Sequence, residues 1–349
     1  MLVELKVSRN DAGQRAERYL RRRLAALSLD RLHSLFRRKE IKIDRKPIKR
    51  NHPLQAGDVL QVYGLRPEDV GSGEAGGSAG DESDPAAEPG AKADASGPPP
   101  PAGSSKRRIL GIPILHEDAD LLILDKPAGL AVHPGTGILD GDSVIEKARA
   151  YLADARRPDE LFQPSLVHRL DKDTSGVLVI AKSGEALRRL TEALRNGGFH
   201  KRYLALVEGV PRPPSGEISG LLQRVDSRSG GAKAEVSQED GKWSVTKYKT
   251  LKDFGNFSLL GVIIETGRMH QIRAHLASQG HPLVGDPRYG SFERNRAYRK
   301  SLGLKRTFLH AGDLEITLDI GATLAFHSPL PKDLANVLER AAAHPGEAA

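Results

Sequence analysis

The chain has 349 residues, 38% of them apolar and 28% charged. Its apolar runs fall far short of the roughly 18 residues a membrane-spanning helix needs, and the alternating start from Met1 to Val7 does not read as a secretory leader. The absence of cysteine excludes disulfides, cysteine nucleophiles and thiolate zinc sites and fits a reducing cytoplasm, while a net charge of +8 suggests a polyanionic partner.

The charge is concentrated at one end. Residues 1–65 carry 16 basic and 7 acidic side chains. Within them, Ala16, Tyr19, Leu20, Leu24 and Leu27 recur at helical spacing, which predicts a helix over 14–27. Arg15, Arg18, Arg21, Arg22 and Arg23 are expected on its other face. Asp30 is expected to cap a second short helix with Leu32, Leu35 and Phe36 inward, closed by Arg37, Arg38 and Lys39. Ile41 and Ile43 alternate with Lys42 and Asp44 into a turn, and Gly57-Asp58 precedes a strand through Val59, Leu60 and Val62. Basic residues crowding both helices and the following turn point to a phosphate-tracking surface rather than a merely solvated face. Gly13-Gln14-Arg15, the short second helix, Ile41-Lys42-Ile43-Asp44 and Ala56-Gly57-Asp58 together resemble the S-four-type (alpha-L) RNA-binding domain. That resemblance implies RNA contacts through Arg15, Arg18, Arg22, Arg37, Arg38 and Lys39.

Residues 66–105 carry 2 basic and 8 acidic side chains, and 29 of the 40 are Gly, Ala, Ser or Pro. Val70 is the one large aliphatic residue there, so the segment cannot bury enough surface to offset its chain entropy and is expected to be a disordered acidic linker. Gly71, Gly73 and Gly76 match a GxGxxG dinucleotide pattern, but no strand precedes them and no helix follows.

From residue 106 to the end, strand-like runs at 121–124, 177–180, 203–207 and 257–264 mix with helical patterns at 144–152, 186–194, 269–277 and 334–342. Gly197-Gly198 is a plausible stop for the second of these helices. The elements do not alternate strictly, which predicts an α+β domain with a mixed sheet, flanking helices and loops feeding a cleft. The most informative stretch is Val167-His168-Arg169-Leu170-Asp171-Lys172-Asp173-Thr174-Ser175-Gly176, a polar, turn-prone loop running directly into the apolar strand of 177–180. A loop anchored on such a strand can hold a carboxylate rigidly at a cleft mouth. From the residues alone, Asp171 and Asp173 serve equally well as turn formers.

The stretch from His168 to Lys182 resembles the HRLDxxTSGxxxxAK signature of the RluA-type pseudouridine synthases. Two further stretches agree in order: Lys201-Arg202-Tyr203-Leu204-Ala205-Leu206-Val207-Glu208-Gly209, and Thr266-Gly267-Arg268-Met269-His270-Gln271-Ile272-Arg273-Ala274-His275 followed by Gly280-His281-Pro282-Leu283-Val284-Gly285-Asp286-Pro287-Arg288-Tyr289-Gly290. Asp125-Lys126-Pro127-Ala128-Gly129 fits the family's opening strand, and His133-Pro134-Gly135-Thr136-Gly137 looks most like the members acting on large-subunit ribosomal RNA.

The resemblance implies the pseudouridine synthase fold, with a largely antiparallel central sheet, and the isomerisation of uridine within RNA without a cofactor. It implies Asp171 as the essential aspartate, acting as nucleophile or base. Tyr203 would stack on a flipped base and help remove the proton at carbon five, and Arg273 would pair with the aspartate. His168, Arg169, Thr174, Arg268 and His270 are expected to contact the substrate. A metal is not expected, because His168, His270 and His275 form no ligand cluster independent of these motifs; a monomer is. Two competing readings are an RNA-binding ribosome-assembly factor with dispensable catalysis, and a hydrolase using Asp171 and Asp173 as an acid–base pair.

Overall fold

The computed structural model describes residues 1–24, 26–66, 69, 108–134, 141–153, 162–226, 232–318 and 321–343. They fall into two compact units, one within Met1–Lys106 and the other within Arg107–Ala349. Apart from Arg66 and Asp69, the expected linker lies outside the described residues, as do Gly71, Gly73, Gly76, Gly135, Thr136 and Gly137.

The first unit is built from β1 (Val3–Lys6), α1 (Ala16–Arg23), α2 (Leu29–Arg37), β2 (Ile41–Ile43), β3 (Lys46–Pro47) and β4 (Val59–Val62), with sheet order β1-β4-β2-β3. Tyr19, Leu20, Leu32, Leu35 and Leu60 are buried between helices and sheet, as the spacing requires. Asp44 and Arg45, both with positive φ, turn β2 into β3. Two expectations change. Helix α1 stops at Arg23, so Leu24 and Leu27 are buried from the following turn rather than from the helix. Ser28, not Asp30, caps α2: its hydroxyl accepts the Arg31 N–H, and Asp30 falls in the first turn.

The second unit contains β5 (Arg108–Ile109), β6 (Ile112–Glu117), β7 (Leu121–Lys126), α3 (Val144–Leu152), β8 (Ser165–Leu166), β9 (Ser175–Ala181), α4 (Gly184–Arg195) and β10 (Phe199–Glu208). It continues through β11 (Ser215–Asp226), β12 (Ala232–Ser237), β13 (Lys242–Asp253), β14 (Phe257–Ile264), α5 (Gln271–Ser278), α6 (Phe292–Ser301), β15 (Leu309–Thr317), β16 (Thr323–His327) and α7 (Lys332–Ala343). One twelve-stranded sheet runs β12-β11-β13-β14-β10-β15-β9-β7-β6-β5, with β16 beside β15 and β8 beside β9. Among the described pairs only β15 with β9 is parallel, so the sheet is mixed and largely antiparallel.

Strand β9 is buried along all seven residues, Ser175 to Ala181, which explains its unbroken apolar run: both faces are covered. Leu178 and Ile180 join one core cluster with α3 and β14; Val177 and Val179 join another with α4. Each such side chain contributes about 1.5–3 kcal/mol of burial. At the head of β9, Gly176 has φ +124° and lies so close to β15 that a Cβ would fall 2.1 Å from the Ala311 carbonyl oxygen. Only glycine lets the loop before it enter the sheet there. Helix α4 ends at Arg195 and is followed by Gly197 with φ +79°, the stop read from the sequence. No helix among the described residues is long and apolar enough to cross a membrane.

Candidate active site

All eight residues singled out in the second unit line one cavity of about 590 Å³: Asp171, Tyr203 and Arg273, together with His168, Arg169, Thr174, Arg268 and His270. Three elements build it. The loop entering β9 carries Asp171, β10 carries Tyr203, and the turn into α5 carries Arg268, His270 and Arg273.

The Asp171 loop is pinned from both sides. On one side, the buried Lys126 at the end of β7 donates all three ammonium protons to carbonyl oxygens, those of Pro127 and Leu130 at 2.8 Å and of Lys172 at 2.9 Å. Burial pushes this lysine down to about 7, against the pull of Asp173. On the other side, Arg306 donates to the Asp173 carbonyl at 3.1 Å and to the Ser175 hydroxyl at 3.2 Å, and it pairs with Asp333 at 2.7 Å. Thr174 is buried at the base of the loop, where its N–H closes a turn onto the Asp171 carbonyl at 3.1 Å. Its position gives it a loop-shaping role in addition to a place in the cavity wall.

Arg273 lies between two carboxylates. Its Nη1 donates to Asp171 Oδ2 at 3.2 Å, while Nε and Nη2 grip the fully buried Asp286 at 2.6 and 2.8 Å. Burial alone would lower its pKa, but the bonds to Asp286 and the charge of Asp171 outweigh this and hold it above the ordinary value. Asp286 also accepts the backbone N–H groups of Arg288 and Tyr289, at 2.8 and 3.1 Å, so its orientation is fixed by the turn that carries it. That turn depends on Gly285, which has φ +79° and whose Cβ would meet the Arg306 carbonyl oxygen at 2.4 Å. The sequence reading gave Asp286 no role.

His270 occupies the left-handed region, φ 51°, immediately before α5. Its Nε2 is 3.8 Å from Asp171, and its Nδ1 is 3.2 Å from the Tyr289 hydroxyl, which also exchanges bonds with the Ala234 backbone. Burial lowers its pKa, partly offset by Asp171. The Tyr289 ring stands under the Arg273 guanidinium at 5.2 Å. Gln271 secures the turn: its carbonyl oxygen accepts from Thr266 and the Arg268 N–H, and its amide nitrogen donates to Val245 and Thr246. His275 points away from the cavity into a bond with Thr246. Arg268 and Arg169 are exposed at the rim.

Tyr203 is buried on the face of β10 that also carries Lys201, and opposite it β15 bulges by one residue, Gly312, between the partners of Arg202 and Tyr203. Burial first and Asp171 second hold its hydroxyl above the ordinary pKa, so the phenol stays protonated at neutral pH. His168 accepts the Val179 N–H through Nε2 at 3.2 Å, and burial, with the charge of Lys201, pushes it down to about 3. It is therefore a neutral side chain bound to the edge of β9. Lys201, two residues before Tyr203 on the same face, is a further cavity residue that the sequence reading did not single out; burial pushes it down to about 8.

Asp173 is not part of the wall of the cavity that holds Asp171. It lines a separate groove with α6, and its carbonyl is held by Arg306. Asp171 and Asp173 line different cavities, so the site does not bring together the acid–base pair that the hydrolase reading requires.

In the first unit, a cleft of about 1130 Å³ is lined by Arg15, Arg37 and Lys39 together with Lys49 and Arg50. Arg18 and Arg38 are exposed outside its wall. Arg22 departs from the expected exposed face: it is half-buried and donates to the Gln14 side chain at 3.1 Å.

The model of a family described as RNA pseudouridylate synthase matches residues 120–278, the span that holds Asp171, Tyr203 and Arg273. Ribosomal large subunit pseudouridine synthase C of Salmonella typhi is 35% identical over 335 residues, covering 95% of this chain and 94% of the relative. Its namesake from Escherichia coli is 34% identical over 336 residues, covering 96% and 95%. Among solved structures, human RNA pseudouridylate synthase domain containing 4 superposes with a TM-score of 0.52 at 26% identity, over 65% of this chain and 92% of that one. The human domain containing 1 gives 0.50 at 27% identity, over 66% and 86%. A loop aspartate gripped by an arginine beside a buried tyrosine, on a sheet of this topology and with relatives this similar along their whole length, leads to one assignment: the chain belongs to the RNA pseudouridylate synthase family.

Proposed function

We propose that this enzyme isomerises uridine to pseudouridine in large-subunit ribosomal RNA, with Asp171 as the acting carboxylate. The observation that carries the reading is the Asp286–Arg273–Asp171 chain, which holds the Asp171 carboxyl in the cavity that Tyr203 also lines. Similarity to the large-subunit enzymes along nearly the whole chain supports the choice of RNA.

The target nucleotide must leave its stack to bring its uracil into this cavity. Tyr203 offers its ring as the platform for the uracil. The bond from the ribose to nitrogen one breaks with its electron pair leaving on the uracil, either by attack of Asp171 on the sugar or by removal of a ribose proton by Asp171. The uracil turns, carbon five bonds to the ribose carbon, the proton at carbon five leaves and nitrogen one takes up a proton. Atoms balance without a cofactor. Tyr203 lines the cavity with Asp171 and, as the family motifs imply, its hydroxyl helps remove the carbon-five proton as the product rearomatises. Arg273 keeps the carboxylate aimed through its planar fork. Arg169 and Arg268, exposed at the rim, meet the phosphates of the strand.

The first unit serves as an S-four-type RNA-binding domain over 1–65, tethered by 66–105 to the catalytic domain over 106–349. Its basic cleft supports this. The enzyme works as a cytoplasmic monomer in this reading, since no step needs a second copy. Mapping pseudouridines in ribosomal RNA from cells with and without the gene tests the function. Loss of one or more large-subunit pseudouridines is expected; an unchanged map, with ribosome assembly impaired, would favour the assembly-factor reading instead.

A further inference from the structure

Helix α6 and the segment after it buttress the site from behind, through Asn295 on the Gly285–Asp286 turn and Arg306 on the Asp171 loop, and their outer face carries an unusual surface. Phe292, Arg296 and Arg299 stand at i, i+4 and i+7, so they share one face of the helix. All three are exposed, and Phe292 is 83% exposed, which leaves an aromatic ring with nothing packed over it. With Lys305 they rim a groove of about 440 Å³ whose floor includes Pro287 and Leu304. Arg294, on another face, is paired with Glu208 and takes no part.

The groove is joined to the active site through the chain itself. Asp173 lines the groove and Asp171 lines the catalytic cavity, and two residues of extended chain span only about 7 Å. Arg306, also in the groove wall, holds the Asp173 carbonyl. Among the described residues Asp173 is the one acidic side chain lining the groove, and it is outnumbered by Arg296, Arg299, Lys305 and Arg306.

We infer that this groove binds a nucleotide flanking the target uridine on the same RNA strand, with its base stacked on Phe292 and its phosphates on Arg296, Arg299 and Lys305. An exposed aromatic among cations is how proteins hold single-stranded RNA, the ring tolerating any base and the cations tracking the backbone. The short reach from Asp171 makes the occupant a near neighbour of the target, so the groove helps set which uridines fit. Charge complementarity with an exposed aromatic beside it favours an RNA strand, which supplies one negative charge per nucleotide and a base to stack.

The inference rests on the proposed RNA substrate, and its test is separable from that proposal. Binding of the full-length protein to a large-subunit ribosomal RNA transcript is measured over a salt series, for the parent, Arg296→Ala/Arg299→Ala and Phe292→Ala. Removing two phosphate contacts flattens the log–log salt slope by about 1.4 and weakens binding about tenfold or more at low salt; Phe292→Ala weakens it about tenfold with the slope retained. Lys249→Ala/Lys252→Ala, the same charge change on strand β13, serves as control. A benzophenone amino acid in place of Phe292, on an otherwise unaltered chain, is expected to crosslink to RNA in the transcript and in large-subunit precursors. Unchanged affinity and slope, equal losses in the control, or crosslinks to ribosomal protein instead of RNA overturn the inference. Conversion of uridine in the same transcript by the parent reports on the catalytic proposal independently.

Discussion

Replacing Asp286 with Asn perturbs the site without touching its cavity, because Asp286 is fully buried behind Arg273 and lines no part of the cavity wall. The amide has the size of the carboxylate, and its oxygen can still accept the Arg288 and Tyr289 N–H groups. Its nitrogen, however, must face an Arg273 N–H, so two donors oppose each other where a 2.6 or 2.8 Å charged bond stood. Losing one charge-assisted bond costs about 1.5–3 kcal/mol, and a buried guanidinium deprived of its main counter-charge adds to that. Asp171 still pairs with the arginine, which limits the total to about 3 kcal/mol and, for a unit of this size, lowers Tm by about 6–12 °C. Arg273 then turns toward Asp171 as its remaining partner, and the carboxylate loses its aim. A misplacement of this kind costs about a hundredfold in rate. The assay is single-turnover release of tritium from RNA labelled at carbon five of uridine, at saturating RNA and well below the variant's Tm. RNA affinity is expected to change little while the rate falls. A folded Asp286→Asn enzyme with a saturating rate within threefold of the parent would refute the positioning argument.

Arg273→Lys keeps a charge but cannot grip Asp286 and Asp171 together, so the saturating rate falls by about a hundredfold in the same assay, and a modest loss would contradict the fork geometry. Lys126→Met removes the donor to three carbonyls, among them that of Lys172 beside Asp171. The Lys172 carbonyl keeps its bond from the Gly129 N–H, but those of Pro127 and Leu130 lose this donor; the cost is about 2–5 kcal/mol, read as a large drop in the urea midpoint, and an unchanged midpoint would show that the loop does not depend on this clamp. Deleting residues 1–65 removes the basic cleft, so the salt dependence of RNA affinity flattens by roughly 0.7 in log–log slope for each lost single-strand phosphate contact. An unchanged slope would mean that the first unit does not hold the substrate.

The parts of this enzyme that were legible in its sequence share a physical feature: local pattern decides them. Helix α3 over Val144–Leu152 and strand β14 over Phe257–Ile264 appear with the bounds read from apolar spacing. The loop from His168 to Gly176 was legible because a polar turn meets a strand buried on both faces. Strands β11 to β13 were not, since their largely polar sequences, lysine-rich in β13, carry little apolar alternation and are held by pairing with one another. Helix α6 was missed for a similar reason: of its ten residues only Tyr298 is buried. At the site, Asp171, Tyr203 and Arg273 emerged through the family's motifs. Asp286, Lys126 and Lys201 did not acquire roles, because each depends on a partner or a degree of burial created by tertiary packing. Asp286 looks like an ordinary turn residue until Arg273, on the helix before it, is placed against it.

The central claim is that Asp171 performs the chemistry, and Asp171→Asn tests it most directly. The amide keeps the shape of the side chain and can still accept a bond from Arg273 Nη1, but it can act neither as nucleophile nor as base. Pseudouridine formation in a large-subunit ribosomal RNA transcript is measured by mass spectrometry, with RNA affinity measured on the same preparations. The account predicts that the Asn enzyme binds the transcript as the parent does and forms no pseudouridine; conversion by the Asn enzyme at the parent's rate would contradict it.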